Sequence, residues 1–417
     1  MQPQVHWQRQ DYSRVPFWLY HDRALYDLEQ QRVFRGPTWN FLGLEAEIPK
    51  PGDFRSVWVG DTPVVFNHDR DGRVHAFVNR CAHRGATICR EQRGNRKVHT
   101  CVYHRWSYDQ QGNLVGVPFR NGVNGKGGLD PSFDFAANGL RKLRVECLSG
   151  AVFGTFAEAP EPLADYLGPL AAAKLRRATH KPLRILGYQR QRIAGNWKLY
   201  LENVRDTYHA SLLHEFMVTF GIDRATQQGG VAMDARHRHN FTYAHAASDS
   251  DQDAVAQYGQ HQLRANALKL ADPALLKFER EFPDDLNLAM LSIFPNCVFQ
   301  QINNSLAVRQ VRTKGVAEFE LFWIFYGFEG DNEALTQHRL RQSNLAGPAG
   351  FVSMEDGEAI ELAQRSTQAE PDACSIIEMG GRGPIVDCDF RVTDIPLRGF
   401  WSYYAELMGM EPPGAVR

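Results

Sequence analysis

Between residue 38 and about residue 155 the chain is a succession of short apolar runs closed by turn residues. Ser56-Val57-Trp58-Val59 stops at Asp61-Thr62-Pro63, Val64-Val65-Phe66 is followed by Asp71-Gly72, and Val74 to Val78 comes next. Runs this short are strands, and Asp-Gly between two of them signals a hairpin. The stretch is predicted to be a small all-β domain. Outside it the pattern lengthens. Asp22 to Phe34 sets Leu25, Leu28, Val33 and Phe34 among charges, as a helix does. Beyond residue 160, Pro182 to Arg192 is strand-like. Leu288 to Gln301, Ser305 to Arg312 and Val316 to Phe328 are three longer runs joined by Asn303-Asn304 and Thr313-Lys314-Gly315. Long strands on short loops imply an antiparallel meander. Trp197 to Val218 and Asn332 to Gln364 read as helices packed on that sheet. The expectation is an α+β protein, with a domain over 38–155 inserted into a second one built from 1–37 and 156–417.

Composition narrows the class. At 417 residues the chain exceeds what one hydrophobic core supports, and 43% hydrophobic with 23% charged residues is ordinary for a soluble globular protein. Lys+Arg 47 against Asp+Glu 48 leaves a net charge of -1, which excludes a general pull toward nucleic acid or an anionic membrane. Leu321 to Phe328, among the longest apolar stretches, is far short of the roughly 20 residues that span a bilayer. The polar start MQPQVHWQRQDYSR has no apolar core of a secretory signal. Seven cysteines, an odd number in so long a chain, make no disulfide framework, so a cytoplasmic location is expected. Fifteen histidines are many by comparison. Their placement decides the chemistry.

Cys81-Ala82-His83 and Cys101-Val102-Tyr103-His104 put two donors on each of two loops, 17 residues apart. Zinc accepts such a set. In an all-β domain the pattern fits better to a Rieske [2Fe-2S] cluster, in which one iron takes both cysteines and the other both histidines. Replacing two thiolates by neutral imidazoles raises the potential of the cluster. The remaining Cys89, Cys147, Cys297, Cys374 and Cys388 are read as small core residues.

A second set follows. His209 and His214 are slightly more than one helical turn apart, so a modest irregularity lets both rings face one point. Two imidazoles and one carboxylate on one face of an iron leave the other face open. The carboxylate must come from elsewhere, and Glu355, Asp356 and Glu358 after the Gly347-Pro348 break are equal candidates on spacing alone. Acidic residues also suit a solvated helix start. Asp206, three residues before His209, suits a hydrogen bond to the ligand imidazole, or a simple cap. Arg309 lies among apolar neighbours on a meander strand, where a buried cation needs an anionic partner. A substrate carboxylate would serve, and so would a structural ion pair. Arg398 is a second such arginine.

The loops CAHRGA and CVYHRW, with GLEAEIPKPGDF, GPAGFVSMEDGE and SIIEMGG, resemble those of Rieske non-heme iron aromatic ring-hydroxylating oxygenases, large (alpha) subunit. The likeness covers nearly the whole chain. It is nearest to the branch acting on aromatic acids, namely salicylate 5-hydroxylase, anthranilate dioxygenase and terephthalate dioxygenase. Respiratory Rieske proteins carry an extra cysteine in each loop, where this chain has Ala86 and Tyr103. The resemblance implies an all-β Rieske domain inserted in a helix-grip (START-like) catalytic domain with a central antiparallel sheet. It implies a [2Fe-2S] cluster on Cys81, His83, Cys101 and His104, and Fe(II) on His209, His214 and Asp356, the second member of the acidic pair. Asp206 is then the link from His104 of the partner subunit to His209, which requires an oligomer. Asn203, Arg309 and Arg398 fall to the substrate.

The implied reaction is hydroxylation or cis-dihydroxylation of an aromatic carboxylic acid by O2. Electrons come from NAD(P)H through a separate reductase, ferredoxin or both. An arylacetic acid such as indole-3-acetate is the alternative substrate. A small beta subunit in an α3β3 assembly is the implied partner. Arg84, Arg90, Arg93, Arg96, Lys97 and Arg105 surround the cluster loops and are predicted to dock an acidic electron donor. A protein confined to electron transfer, or a zinc-stabilised module, would leave residues 196–214 and the large second domain without a purpose.

Overall fold

In the computed structural model, which describes residues 7–246, 251–261, 263 and 268–410, the chain divides into two units. Phe34–Leu163 forms one, and the residues up to Val33 together with those from Ala164 onward form the other.

The inserted unit is built on a seven-stranded antiparallel sheet, in the order Asn40–Leu44, Ala151–Thr155, Lys142–Leu148, Val74–Val78, Thr62–His68, Asp53–Val59 and Arg93–Asn95. The hairpin expected at Asp71-Gly72 forms: Gly72 takes φ 79°, and the Asp69 carboxylate accepts from the backbone N–H groups of Asp71 and Arg73 at 2.8 and 2.9 Å. A second sheet of His99–Thr100, Ser107–Tyr108 and Leu114–Gly116 carries the second cluster loop. Phe54, Val65, Phe77, Tyr108, Cys81 and Cys101 share one buried core, so both loops rest on packed side chains.

The other unit is organised by a second seven-stranded antiparallel sheet. Its strands are β1 (Leu183–Ile193), β2 (Gly229–Met233), β3 (Asn240–His245), β4 (Leu286–Ile293), β5 (Cys297–Ile302), β6 (Ser305–Thr313) and β7 (Phe319–Phe328), and their order is β1-β7-β6-β5-β4-β3-β2. The meander is β4 to β7, turned by Asn303 at φ 49° and Gly315 at φ 128°. Trp323, Arg309, Val298, Ser292 and Asn240 make one row of directly paired residues across five strands. Phe325, Ala307, Gln300, Met290 and Thr242 make the next row, two positions along and therefore on the same face.

The expected helix over 197–218 is broken into α1 (Trp197–Asn203), α2 (Ala210–Leu213) and α3 (Glu215–Thr219). The cause is local. The Asp206 carboxylate accepts from the N–H groups of Tyr208 and His209, both at 3.1 Å, and so competes with continuation of the helix. Asn196 caps α1, accepting from Lys198 N–H at 3.0 Å and donating to the carbonyls of Tyr20 and Val316. Behind α1, buried Lys198 pairs with Glu29 at 2.6 Å, and Glu202 accepts from Tyr20 and Trp401 at 2.9 and 2.5 Å. The acidic segment lies on α5 (Phe351–Thr367), after α4 (Glu333–Ala346) and the Gly-Pro break.

One expectation fails. Cys89 and Cys297 are buried, but Cys147 is exposed and Cys374 and Cys388 are half-buried. Cys147 sits on the strand Lys142–Leu148, most of whose residues are exposed, so its thiol is not packed in a core. Among the described residues no helix is long and apolar enough to cross a membrane.

Candidate metal centres and the cavity beside one of them

The two cluster loops make the same turn. Cys81 N–H donates to Ala86 O and Gly85 N–H returns to Cys81 O. In the second loop Cys101 N–H donates to Trp106 O and Arg105 N–H returns to Cys101 O. Gly85 at φ 76° and Arg105 at φ 60° occupy the equivalent left-handed position. Each loop thus points a cysteine inward and a histidine outward: both thiols are buried and both imidazoles exposed. The rings of His83 and His104 stand 4.6 Å apart at 75°, and Trp106 stacks on His83 at 4.7 Å. Tyr108 OH lies 3.2 Å from Cys81 Sγ, placed to donate to a thiolate there. Desolvation, then the neighbouring His104 and Arg84, lowers the pKa of His83, which favours the neutral form that binds metal. Two buried sulfurs and two solvent-facing nitrogens fit a Rieske cluster, the thiolate end inside and the imidazole end at the surface. Arg84, Arg90, Arg93, Lys97 and Arg105 are exposed nearby, while Arg96 is half-buried and pairs with Glu91 at 2.8 Å.

In the larger unit the break between α1 and α3 turns His209 and His214 toward α5. The Nε2 atoms of both rings lie 3.3 Å from Asp356 Oδ1. One donor atom from each of these three residues falls within 4.8 Å of the others, room for a single ion. The three acidic candidates now separate. Asp356 is buried between the histidines, Glu355 accepts from His214 Nδ1 at 2.7 Å, and Glu358 points to solvent. Asn203 donates to Asp356 Oδ1 at 3.1 Å and lies 3.4 Å from His209 Nε2, so it sits against the ligand set. Asp206 Oδ1 faces His209 Nδ1 at 3.5 Å, on the side away from Asp356.

The electrostatics call for a cation here. Burial opposes the charge on Asp356, but hydrogen bonds from both histidines hold its pKa well below the usual carboxylate range. Burial pulls His209 down, but Asp206 and Asp356 more than offset this and raise it to about 10. Two carboxylates thus keep a proton on a ring where a metal ion would supply the same charge. The residues present fit a two-histidine, one-carboxylate iron site.

A cavity with an empty volume of about 520 Å³, mouth included, opens beside this group. Leu288, Met290, Ile302 and Thr242 form an apolar floor from the sheet, and Arg309 stands at its edge. Arg309 is buried, donates to Tyr200 OH at 3.3 Å and lies over the Trp323 ring at 4.3 Å. No carboxylate of the described residues forms an ion pair with it. Arg391 also reaches the cavity, but Asp223 holds its guanidinium at 2.7 Å and Arg224 O accepts from it at 2.6 Å. Arg398 is not brought here. It lies on the helix Ile395–Met408, donates to Gly383 O at 2.8 Å and is absent from the cavity wall. Tyr200 and Arg391 escaped the sequence reading, which named Glu355 only as a candidate ligand and not as the partner of His214. Tyr200 stands three residues before Asn203, a spacing that could have found it; Arg391 lies in an aperiodic loop that offers no signal.

Two family models match the chain: the Rieske [2Fe-2S] domain over residues 38–126 and the ring hydroxylating alpha subunit (catalytic domain) over residues 173–409. The anthranilate 1,2-dioxygenase large subunit of Burkholderia cepacia is 48% identical over 97% of this chain and 96% of its own length. The terephthalate 1,2-dioxygenase terminal oxygenase component subunit alpha 2 of Comamonas sp is 44% identical over 98% of each. The large oxygenase component of salicylate 5-hydroxylase from Ralstonia sp is 42% identical over 97% and 96%. Among solved structures, naphthalene 1,2-dioxygenase from Rhodococcus sp. shares the fold with a TM-score of 0.80 at 23% identity, over 96% of this chain and 95% of that one.

Proposed function

The chain belongs to the Rieske ring-hydroxylating oxygenases as a terminal oxygenase large subunit, and from that premise we propose that its substrate is an aromatic acid with one carboxylate, held by Arg309. The observation that carries this reading is a buried guanidinium on the wall of the iron cavity with no acid among the described residues to pair it, beside Arg391, whose charge Asp223 already neutralises. A buried cation without a counter-ion is costly, and a carboxylate completes it through charge-assisted hydrogen bonds. The names of the relatives, anthranilate, salicylate and terephthalate, are all aromatic acids. One free guanidinium favours the monocarboxylates among them.

We assign the inserted domain over 38–155 to electron entry, with Cys81, His83, Cys101 and His104 as cluster ligands, and His209, His214 and Asp356 as iron ligands. Bound there, the cluster supplies single electrons and the iron activates dioxygen. The residues of the chain do the rest. Asn203 orients Asp356 through its amide. Glu355 fixes the tautomer of His214 by accepting from Nδ1, leaving Nε2 free to bind metal. Asp206 orients His209 and links it to His104 of the partner subunit in a ring of subunits, with a beta subunit in an α3β3 assembly. The apolar floor excludes water and seats the ring face. Exposed Arg84, Arg90, Arg93, Lys97 and Arg105 dock an acidic ferredoxin or reductase that draws on NAD(P)H.

Oxygen uptake and product analysis with anthranilate, salicylate, terephthalate and indole-3-acetate test the substrate. Coupled turnover of a monocarboxylate is expected. Preference for terephthalate, or turnover of biphenyl with none of the acids, overturns the reading.

A further inference from the structure

The floor of the iron cavity is apolar except at one point. Leu288, Met290 and Ile302 carry no oxygen or nitrogen in their side chains, whereas Thr242 brings a hydroxyl to the same wall. Thr242 pairs directly with Met290, and Leu288 with Ile302 makes the pair two residues along, so all four share one face of the sheet.

Apart from the iron ligands, the wall holds three neutral polar side chains among the described residues, and two of them are already committed. Asn203 turns its Nδ2 to Asp356 Oδ1 at 3.1 Å and to His209 Nε2 at 3.4 Å. Thr207 donates its hydroxyl proton to the Arg391 carbonyl. Thr242 is different. Its Oγ1 accepts from Asn240 Nδ2 at 3.0 Å, and no acceptor among the described residues takes its proton. A hydroxyl has one proton and two lone pairs, so an oxygen that is already accepting keeps a proton to give. In a cavity that is otherwise apolar, such isolated polar groups fix how a ligand lies.

Arg309 stands on β6 and Thr242 on β3, three strands away across the floor. At roughly 4.8 Å per strand the two backbones are about 14 Å apart. A ring substituent beside the carboxylate stays at the Arg309 end. One directly across the ring points along the floor toward Thr242.

We propose that Thr242 is a specificity-determining residue that donates a hydrogen bond to an acceptor atom opposite the carboxylate held by Arg309. The substrate class is then a monocarboxylate with a neutral oxygen at the far side of its ring, as a hydroxyl, ether or carbonyl. A second carboxylate there would bury its charge against apolar side chains with one hydroxyl to meet it, which is costly. The inference rests on the carboxylate reading of Arg309.

The test is calorimetric binding of 4-methoxybenzoate and 4-ethylbenzoate to the purified full-length enzyme and its variants. The two acids differ by an oxygen in place of a methylene. Thr242→Val replaces the hydroxyl by a methyl group and should lower the methoxy-to-ethyl affinity ratio about threefold or more, the worth of one neutral hydrogen bond. Thr242→Ser should keep the ratio. With 2-methoxybenzoate and 2-ethylbenzoate the ratio should not change in Thr242→Val. A para ratio that Thr242→Val leaves unchanged, or an ortho ratio that falls with it, overturns the proposal. Arg309→Met separates the two readings. It should weaken all four acids together, and unchanged affinities sink the carboxylate reading while the para ratio still judges Thr242. The visible spectrum of the cluster checks folding. If Thr242→Val does not fold, Thr242→Cys, a far weaker donor of similar size, is judged by the same ratio.

Discussion

Glu355 Oε2 accepts from His214 Nδ1 at 2.7 Å while Nε2 of the same ring lies 3.3 Å from Asp356. Adjacent acidic residues on one helix thus hold the two edges of one imidazole. Removing the outer partner frees the ring to turn. Glu355→Ala should lower iron affinity by about 10–100-fold with the cluster intact, since partners of ligand histidines carry that much. Iron content after dialysis against a graded chelator measures it.

Asp206 shapes the chain break before His209 and has a proposed place in the electron path, and one substitution parts the two. Its Oδ1 accepts from the N–H groups of Tyr208 and His209, and an asparagine keeps that oxygen. Asp206→Asn should therefore retain both metal centres, with a cluster that chemical reductant still reduces. Turnover, and reoxidation of the reduced cluster on adding substrate and oxygen, should stop. Full activity in this variant would break the proposed electron path.

Arg309→Met keeps an unbranched stem in place of the aliphatic part of the side chain and removes the charge from over Trp323. Loss of a charge-assisted contact should raise KM for the acid about 10–100-fold. The spectrum of the cluster should not change. Steady-state kinetics with a monocarboxylate shows whether KM carries the effect.

Glu202 is half-buried, and desolvation raises its pKa from 4.5 to about 7 despite hydrogen bonds from Trp401 and Tyr20. A carboxyl whose folded pKa is raised contributes most below its unfolded value, and that contribution fades as pH climbs through 7. Glu202→Gln keeps an acceptor for both donors and cannot ionise. Its stability relative to the unaltered protein should rise by about 3 kcal/mol from pH 4.5 to pH 8, because each tenfold change in proton affinity is worth about 1.4 kcal/mol. Denaturant melts at several pH values read it. A constant difference across that range would show that Glu202 does not titrate in the folded protein.

The exposed arginines around the cluster loops predict that turnover with the native reductase system slows as salt rises, because exposed charges attract through a screened field. A rate that stays flat from low to high ionic strength removes their docking role.

Much of this was legible in the residues themselves. The meander and the β domain announce themselves because a strand repeats every two residues and a turn needs Gly, Asn or Asp, as at Gly72, Asn303 and Gly315. The ligand histidines are visible by spacing. Their convergence is not, because it depends on Asp206 diverting two backbone N–H groups and ending a helix that periodicity alone would continue. Arg309 and Arg398 look alike in sequence, both arginines among apolar residues. Sheet register sends one to the cavity, while a helix sends the other to the Gly383 carbonyl.

The paired turns at Gly85 and Arg105 bear on engineering. Both loops require a left-handed residue, yet only the first has the residue that adopts it freely. Arg105→Gly is thus a route to a less strained cluster loop, at the cost of one exposed positive charge. The reverse change at position 85 would impose strain beside His83. Chimeras that exchange the two loops should therefore keep glycine where it stands and can add a second, but never trade it away.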